Sequence, residues 1–222
     1  MDSAAAVQAI LENKLIVVLR HIATANLDEV AGALWEGGVR VVEVALNTPG
    51  AFEQLGILRR HRFCLGAGTA LEEAVATAAL NAGAQFLFSP IRSDFFLPLC
   101  RRRGVLGIPG GLTPTEIYRL WGEGAELIKV FPTSVAGPDY LQEILAPCEG
   151  LRLVPTGGIT LESLERYLQV GAVAVGVGRE IVDPCLVAER NFAEVTRRAA
   201  EFTERIQSLS RLPAQQTAGE TR

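Results

Sequence analysis

Short apolar runs rich in β-branched residues alternate with alanine- and leucine-rich stretches of helical period along most of the chain. The runs at 16–20, 41–45, 64–66, 86–89, 105–108, 127–130, 151–154 and 174–177 read as eight strands. Val, Ile and Phe suit a pleated, buried backbone, and turn residues bound most of these runs. Stretches at 27–36, 51–60, 71–81 and 161–168 read as helices, several with Asn, Thr or Asp placed to cap the first turn. Strands that are apolar at almost every position, separated by helices, predict a parallel sheet covered on both faces. Gly38-Val39, Gly83-Ala84, Gly104-Val105, Gly124-Ala125 and Gly171-Ala172 each read as a helix C-cap leading into the next strand.

Eight such units in ~200 residues predict an α/β protein built as a single (β/α)8 TIM barrel. A doubly wound open sheet shares the same local signature. Residues 2–13 form a leading helix before the first strand, and a long amphipathic segment from 181 to about 208 closes the domain. The predicted domain spans 1–212, with 213–222 a polar, aperiodic and mobile tail.

Composition narrows the function. The net charge of −4 comes without a basic stripe, which argues against a nucleic-acid partner. Arg101-Arg102-Arg103 falls where a helix should end, a favourable place for cations. No run approaches the ~18 apolar residues of a membrane span, so no membrane partner is expected. The four cysteines lack Cys-x-x-Cys spacing and read as buried small hydrophobes in a cytoplasmic, reduced protein. With only His21 and His61 present, a metal site has little to build on.

Lysine is rare: two residues against nineteen arginines, and one of them, Lys129, interrupts the apolar run at 127–130. At its reference pKa a lysine is neutral in only roughly one molecule in 2,500 at pH 7, but an apolar setting lowers that pKa and exposes an amine nucleophile. A structural cation paired with a carboxylate is the competing reading. Glu43 is the matching carboxylate, set among Val41, Val42, Val44 and Ala45. An anion clamped to the amine would raise the lysine pKa, so a catalytic Glu43 should lie nearer the reacting carbons than the amine.

In a barrel the working residues lie at the C-terminal strand ends. Thr156-Gly157-Gly158 and Gly176-Val177-Gly178-Arg179 follow the last two strands, where backbone N–H groups commonly hold phosphate, although Gly-Gly is also an ordinary turn. Arg20, at the end of the first strand, can grip a carboxylate together with the backbone of Gly66-Ala67-Gly68 and the Thr69 hydroxyl; a surface arginine capping the barrel is the alternative.

Val39-Arg40-Val41-Val42-Glu43-Val44, Gly66-Ala67-Gly68-Thr69, Gly83-Ala84-Gln85-Phe86 with Ser89-Pro90, Ile128-Lys129-Val130-Phe131-Pro132 and Pro155-Thr156-Gly157-Gly158-Ile159, in this order, resemble the class I 2-keto-3-deoxy-6-phosphogluconate and 4-hydroxy-2-oxoglutarate aldolases, with their phosphogalactonate-specific branch. The resemblance spans roughly residues 14–200. It implies a Schiff base on Lys129 and general acid/base work by Glu43. Arg20 and Thr69 would hold the substrate carboxylate. Asn47, Pro90, Phe131 and Thr156 would contact the substrate, and Gly157, Gly158, Gly178 and Arg179 the phosphate. Pyruvate and glyceraldehyde 3-phosphate are the implied products, with no cofactor, no metal and a homotrimeric assembly. Asn47 stands where many phosphogluconate aldolases carry arginine and resembles the phosphogalactonate branch; the Pro155-Thr156-Gly157-Gly158 segment resembles the phosphogluconate branch. Rival expectations are a phosphosugar-binding barrel enzyme without a Schiff base and a non-catalytic phosphometabolite sensor.

Overall fold

The computed structural model describes residues 2–211; the mobile tail expected at 213–222 lies outside the described residues. The strands are β1 (Leu15–Leu19), β2 (Val41–Ala45), β3 (Cys64–Gly68), β4 (Phe86–Phe88), β5 (Leu106–Ile108), β6 (Gly110–Gly111), β7 (Ile128–Val130), β8 (Leu153–Pro155) and β9 (Val175–Val177). The helices are α1 (Ser3–Asn13), α2 (Leu27–Glu36), α3 (Ala51–Leu58), α4 (Glu73–Ala82), α5 (Phe96–Arg103), α6 (Pro114–Gly122), α7 (Gly137–Leu145), α8 (Leu161–Gln169), α9 (Pro184–Ala188) and α10 (Phe192–Arg211).

All strand pairings are parallel and form two curled arcs, a six-stranded one in the order β5-β4-β3-β2-β1-β9 and a three-stranded one in the order β6-β7-β8. Only Pro109 separates β5 from β6. A proline without an N–H breaks the ladder there, so the chain pairs with β4 before it and with β7 after it. Just beyond the end of β8, an isolated parallel bridge pairs Thr156 with Gly176 of β9.

The continuous apolar runs conceal a period of two. Leu15, Val17, Val42, Val44, Leu65, Leu87, Ile128, Val130, Leu153 and Val175 join the core packed under the surrounding helices. Ile16, Val41, Cys64, Phe86, Phe88, Leu106, Ile108, Leu127, Val154 and Ala174 form a second core on the concave face. Ala6, Val7 and Ile10 of α1 complete that second core. The leading helix therefore plugs the N-terminal end of the curled sheet and leaves the other end open for chemistry.

All five expected C-cap glycines have positive φ, between 64° at Gly104 and 117° at Gly83, a conformation that side chains disfavour. Arg101, Arg102 and Arg103 occupy the last turn of α5 as expected. The expected closing segment from 181 to 208 is instead broken: α9 ends at Ala188, Arg190 adopts φ 55°, and α10 starts at Phe192. Val187 and Val195 both pack into the helix-side core, so the apolar pattern continues across a turn that it does not reveal. The cysteines are free, but only Cys64 and Cys100 are buried; Cys148 is half-buried and Cys185 exposed, correcting the expectation of four buried hydrophobes.

Candidate active site

Alternation along β7 sends Ile128 and Val130 toward the helices and Lys129 into the concave face. The same alternation on β2 turns Glu43 inward between Val18 of β1 and Gly66 of β3, its register partners. Lys129 is 3% exposed and Glu43 fully buried. Lys129 Nζ lies 4.0 Å from the centre of the Phe88 ring and 5.0 Å from that of Phe131. Neither Glu43 carboxylate oxygen has a hydrogen-bond partner among the described residues. Gly68 makes room for that carboxyl: a Cβ there would overlap Glu43 Oε1.

Burial pushes the Lys129 pKa down, opposed by the charge of Glu43 and reinforced by that of Arg20. Burial pushes the Glu43 pKa up, opposed by the charges of Lys129 and Arg20. Both shifts favour a neutral amine beside a protonated carboxyl, a nucleophile and a proton donor in one buried compartment. A buried carboxyl with no partner is costly to keep for structure alone.

A cavity of about 400 Å³ opens above this compartment. Arg20, Phe131, Thr156, Gly157, Gly158, Gly178 and Arg179 all line it. Arg20 donates from Nη2 to the Thr69 hydroxyl at 3.4 Å, which joins the two expected carboxylate-binding residues across the ends of β1 and β3. Gly157 and Gly158 have φ 99° and 74°. The Thr133 hydroxyl donates to Gly157 O at 3.0 Å, and Thr133 N–H donates to Thr156 O at 3.1 Å, which fixes the turn after β8. Thr160 then caps α8, accepting from Ser163 N–H at 3.3 Å.

Two other expected site residues, Asn47 and Pro90, stand apart from the cavity wall. Asn47 is exposed on the turn after β2. Pro90 is half-buried, its carbonyl so close to Gly110 that a Cβ there would overlap it. Arg179 is largely exposed, and its Nε donates to Asp183 Oδ2 at 3.1 Å. Val18, His21, Glu180, Val182 and Pro184 line the cavity without having been singled out as site residues. His21 follows Arg20 directly, has φ 56° and donates its N–H to the buried Thr48 hydroxyl at 3.0 Å. Phe88 escaped notice because a phenylalanine in an apolar strand carries no signal of its own. Among the described residues, no three His, Cys, Asp or Glu side chains gather as a metal site would require.

The chain matches the family model for KDPG and KHG aldolases over residues 7–198, and it belongs to that family. A Treponema pallidum protein named 2-dehydro-3-deoxy-phosphogluconate aldolase is 37% identical over 169 residues, covering 75% of this chain and 80% of the relative. A Rhizobium meliloti protein named "Probable 2-dehydro-3-deoxy-6-phosphogalactonate aldolase" is 31% identical over 182 residues, 80% of this chain and 86% of that one. The structure of a KDPG aldolase from Legionella pneumophila, with pyruvate captured as a covalent carbinolamine, superposes with a TM-score of 0.81 at 27% identity, covering 86% of this chain and 95% of that one.

Proposed function

We propose that the protein is a class I aldolase that reversibly cleaves 2-keto-3-deoxy-6-phosphogluconate, or a close 2-keto-4-hydroxy acid such as 4-hydroxy-2-oxoglutarate, to pyruvate and an aldehyde such as glyceraldehyde 3-phosphate. The observation that carries this reading is a lone buried amine, Lys129, sharing one compartment with a carboxyl, Glu43, whose oxygens are unpaired.

Neutral Lys129 attacks the C2 ketone; the protonated Glu43 carboxyl gives its proton to the departing carbinolamine hydroxyl, which leaves as water, so that an iminium and a Glu43 carboxylate remain. Glu43, acting through a water, takes the C4 hydroxyl proton; the C3–C4 bond breaks, its electrons pass to the iminium as an enamine, and the aldehyde departs. Glu43 then returns that proton to C3, and water hydrolyses the iminium, releasing pyruvate, regenerating the neutral amine and giving its spare proton back to Glu43. The lysine imine is itself the electron sink, so the cycle needs no cofactor. Arg20 and Thr69 hold the pyruvyl carboxylate, Phe131 packs beside the imine, and the backbone of Gly157, Gly158 and Gly178 holds the phosphate. Arg179 exchanges its Asp183 partner for that phosphate. Thr156 and Asn47 read the substrate's C4 end; the phosphogalactonate epimer is the alternative substrate. A site that carries its own nucleophile and acid favours this reading over a barrel enzyme without a Schiff base.

The two arcs close as one eight-stranded barrel, with β5 and β6 counted as one strand kinked at Pro109. Lys129 N–H donates to Pro109 O at 2.9 Å, and Val173 N–H donates to Leu153 O at 3.1 Å, which supports continuity at both seams. The protein works as a cytoplasmic homotrimer on an Entner–Doudoroff-type route, a reading that rests on the family resemblance. Its test is a solution mass of three 23.8-kDa chains by light scattering.

Borohydride with pyruvate should fix a stable adduct on the peptide containing Lys129; an adduct on Lys14, or none, overturns the assignment. Glu43→Gln should still form the imine but lose about 10²–10⁴-fold in kcat, the usual range for removing a general acid/base. Unchanged turnover would remove Glu43 from the mechanism.

A further inference from the structure

Lys129 and Glu43 have opposite formal charges and share one buried compartment, yet both carboxylate oxygens of Glu43 are unpartnered among the described residues. The amine has aromatic neighbours instead. Its Nζ lies 4.0 Å from the centre of the Phe88 ring, and Phe88 is fully buried on the strand whose other inward residue is Phe86. The second ring, Phe131, is a full ångström farther from Nζ and only half-buried on the cavity wall.

We propose that Phe88 is a positioning residue: its ring face seats the Lys129 amine in the unliganded enzyme and holds it apart from Glu43, leaving that carboxyl free to serve the substrate. This rests on the aldolase reading given above. A ring face attracts an ammonium and does little for a neutral amine, so the seat favours the protonated form of Lys129 and partly offsets the burial that opposes it. The charged groups facing the amine are Glu43 from β2, which also favours the ammonium, and Arg20 from the end of β1, which disfavours it. The neighbouring strands bring no further charge: β4 presents the Phe88 ring, and β8 has the apolar Val154 as the register partner of Lys129. Phe88 therefore adjusts the pH range in which Lys129 is nucleophilic without adding a charge to the compartment.

With two lysines in the chain, protein labelled with [13Cε]lysine gives two resonances, and Lys14→Arg identifies the one from Lys129. Its titration reads the seat directly, with no substrate present. Site-specific replacement of Phe88 by mono-, di- and trifluorophenylalanine weakens the ring's negative face stepwise while nearly conserving shape. The Lys129 midpoint should fall step by step, by about one pH unit in total, with imine formation from pyruvate extending to correspondingly lower pH. Phe88→Leu should shift it in the same direction, and the same fluorinated series at Phe131 should have a smaller effect. A midpoint that stays fixed or rises along the Phe88 series overturns the proposal, even if the melting temperature changes. Failure of pyruvate and borohydride to modify the wild-type protein overturns the aldolase reading instead, and the substrate-free titration still decides whether Phe88 seats the amine.

Discussion

Glu43 shows how one residue's chemistry is set by its neighbours' sizes. Gly68 leaves the space its carboxyl fills, so Gly68→Ala should push the carboxyl aside. The expected cost is about 1–3 kcal/mol of stability from overpacking, with a loss of at least about tenfold in kcat from misplacement of the acid/base. Thermal melts and steady-state kinetics read the two effects separately. Burial raises the Glu43 pKa above its usual 4.5. The stability it contributes is therefore complete below about pH 4.5 and is lost as pH rises through the folded value. Glu43→Gln removes that loss, so its melting temperature should gain on the wild type as pH rises above about 4.5. Lys129 has the opposite slope: its pKa is lowered from the usual 10.5, so stability is lost as pH falls through the folded value, and Lys129→Met should gain on the wild type toward acid pH. Parallel Tm curves for a variant and the wild type would contradict the corresponding shift. Both charged residues could be found in the sequence because a charge inside an apolar strand is conspicuous. Gly68 was visible only as part of a motif, and Phe88 was hidden by its ordinary surroundings.

At the scale of elements, the chain could be read best where local chemistry and tertiary packing agree. The predicted bounds of β2 and α2 match the observed ones, Val41–Ala45 and Leu27–Glu36, since a β-branched run and an amphipathic stretch each end at a clear break. The C-cap glycines were legible for the same reason. β6 could not be anticipated, because Gly110–Gly111 has no strand propensity and pairs only because Pro109 redirects the backbone toward β7. The break between α9 and α10 was equally silent, since no glycine or proline marks Arg190. Capping boxes, in contrast, are written in the sequence: Thr113 with Glu116 opens α6, and Thr160 with Ser163 opens α8. Thr113→Ala and Thr160→Ala should each cost about 1 kcal/mol. Only the second follows the Gly157-Gly158 turn, so we expect Thr160→Ala alone to raise KM for a phosphorylated aldehyde relative to its unphosphorylated analogue. Equal effects from the two would separate the cap from the binding loop.

At the scale of the whole molecule, α1 closes one end of the curled sheet and the cavity opens at the other. Ile10, fully buried in the concave core, should cost about 2–5 kcal/mol when replaced by alanine. Well below its melting temperature, that variant should keep the wild-type kcat/KM, because the plug is far from the strand ends that carry Arg20, Thr156 and Gly178. A large fall in kcat/KM without unfolding would show that the plug also shapes the site. An α/β fold with parallel strands was readable from alternating elements alone. The pairing of strands into two arcs was not, because register and partner choice depend on contacts distant in sequence.

The scarcity of lysine, with Lys129 buried in the native state, also writes the protein's proteolytic map. A protease that cuts only after lysine has two sites, Lys14 and Lys129. Once the chain is denatured it should yield three pieces, residues 1–14, 15–129 and 130–222. A pyruvyl group reduced onto Lys129 abolishes the second cut and leaves residues 15–222 joined. The occupancy of a single nitrogen atom thus becomes a difference of fragment length, legible on a gel.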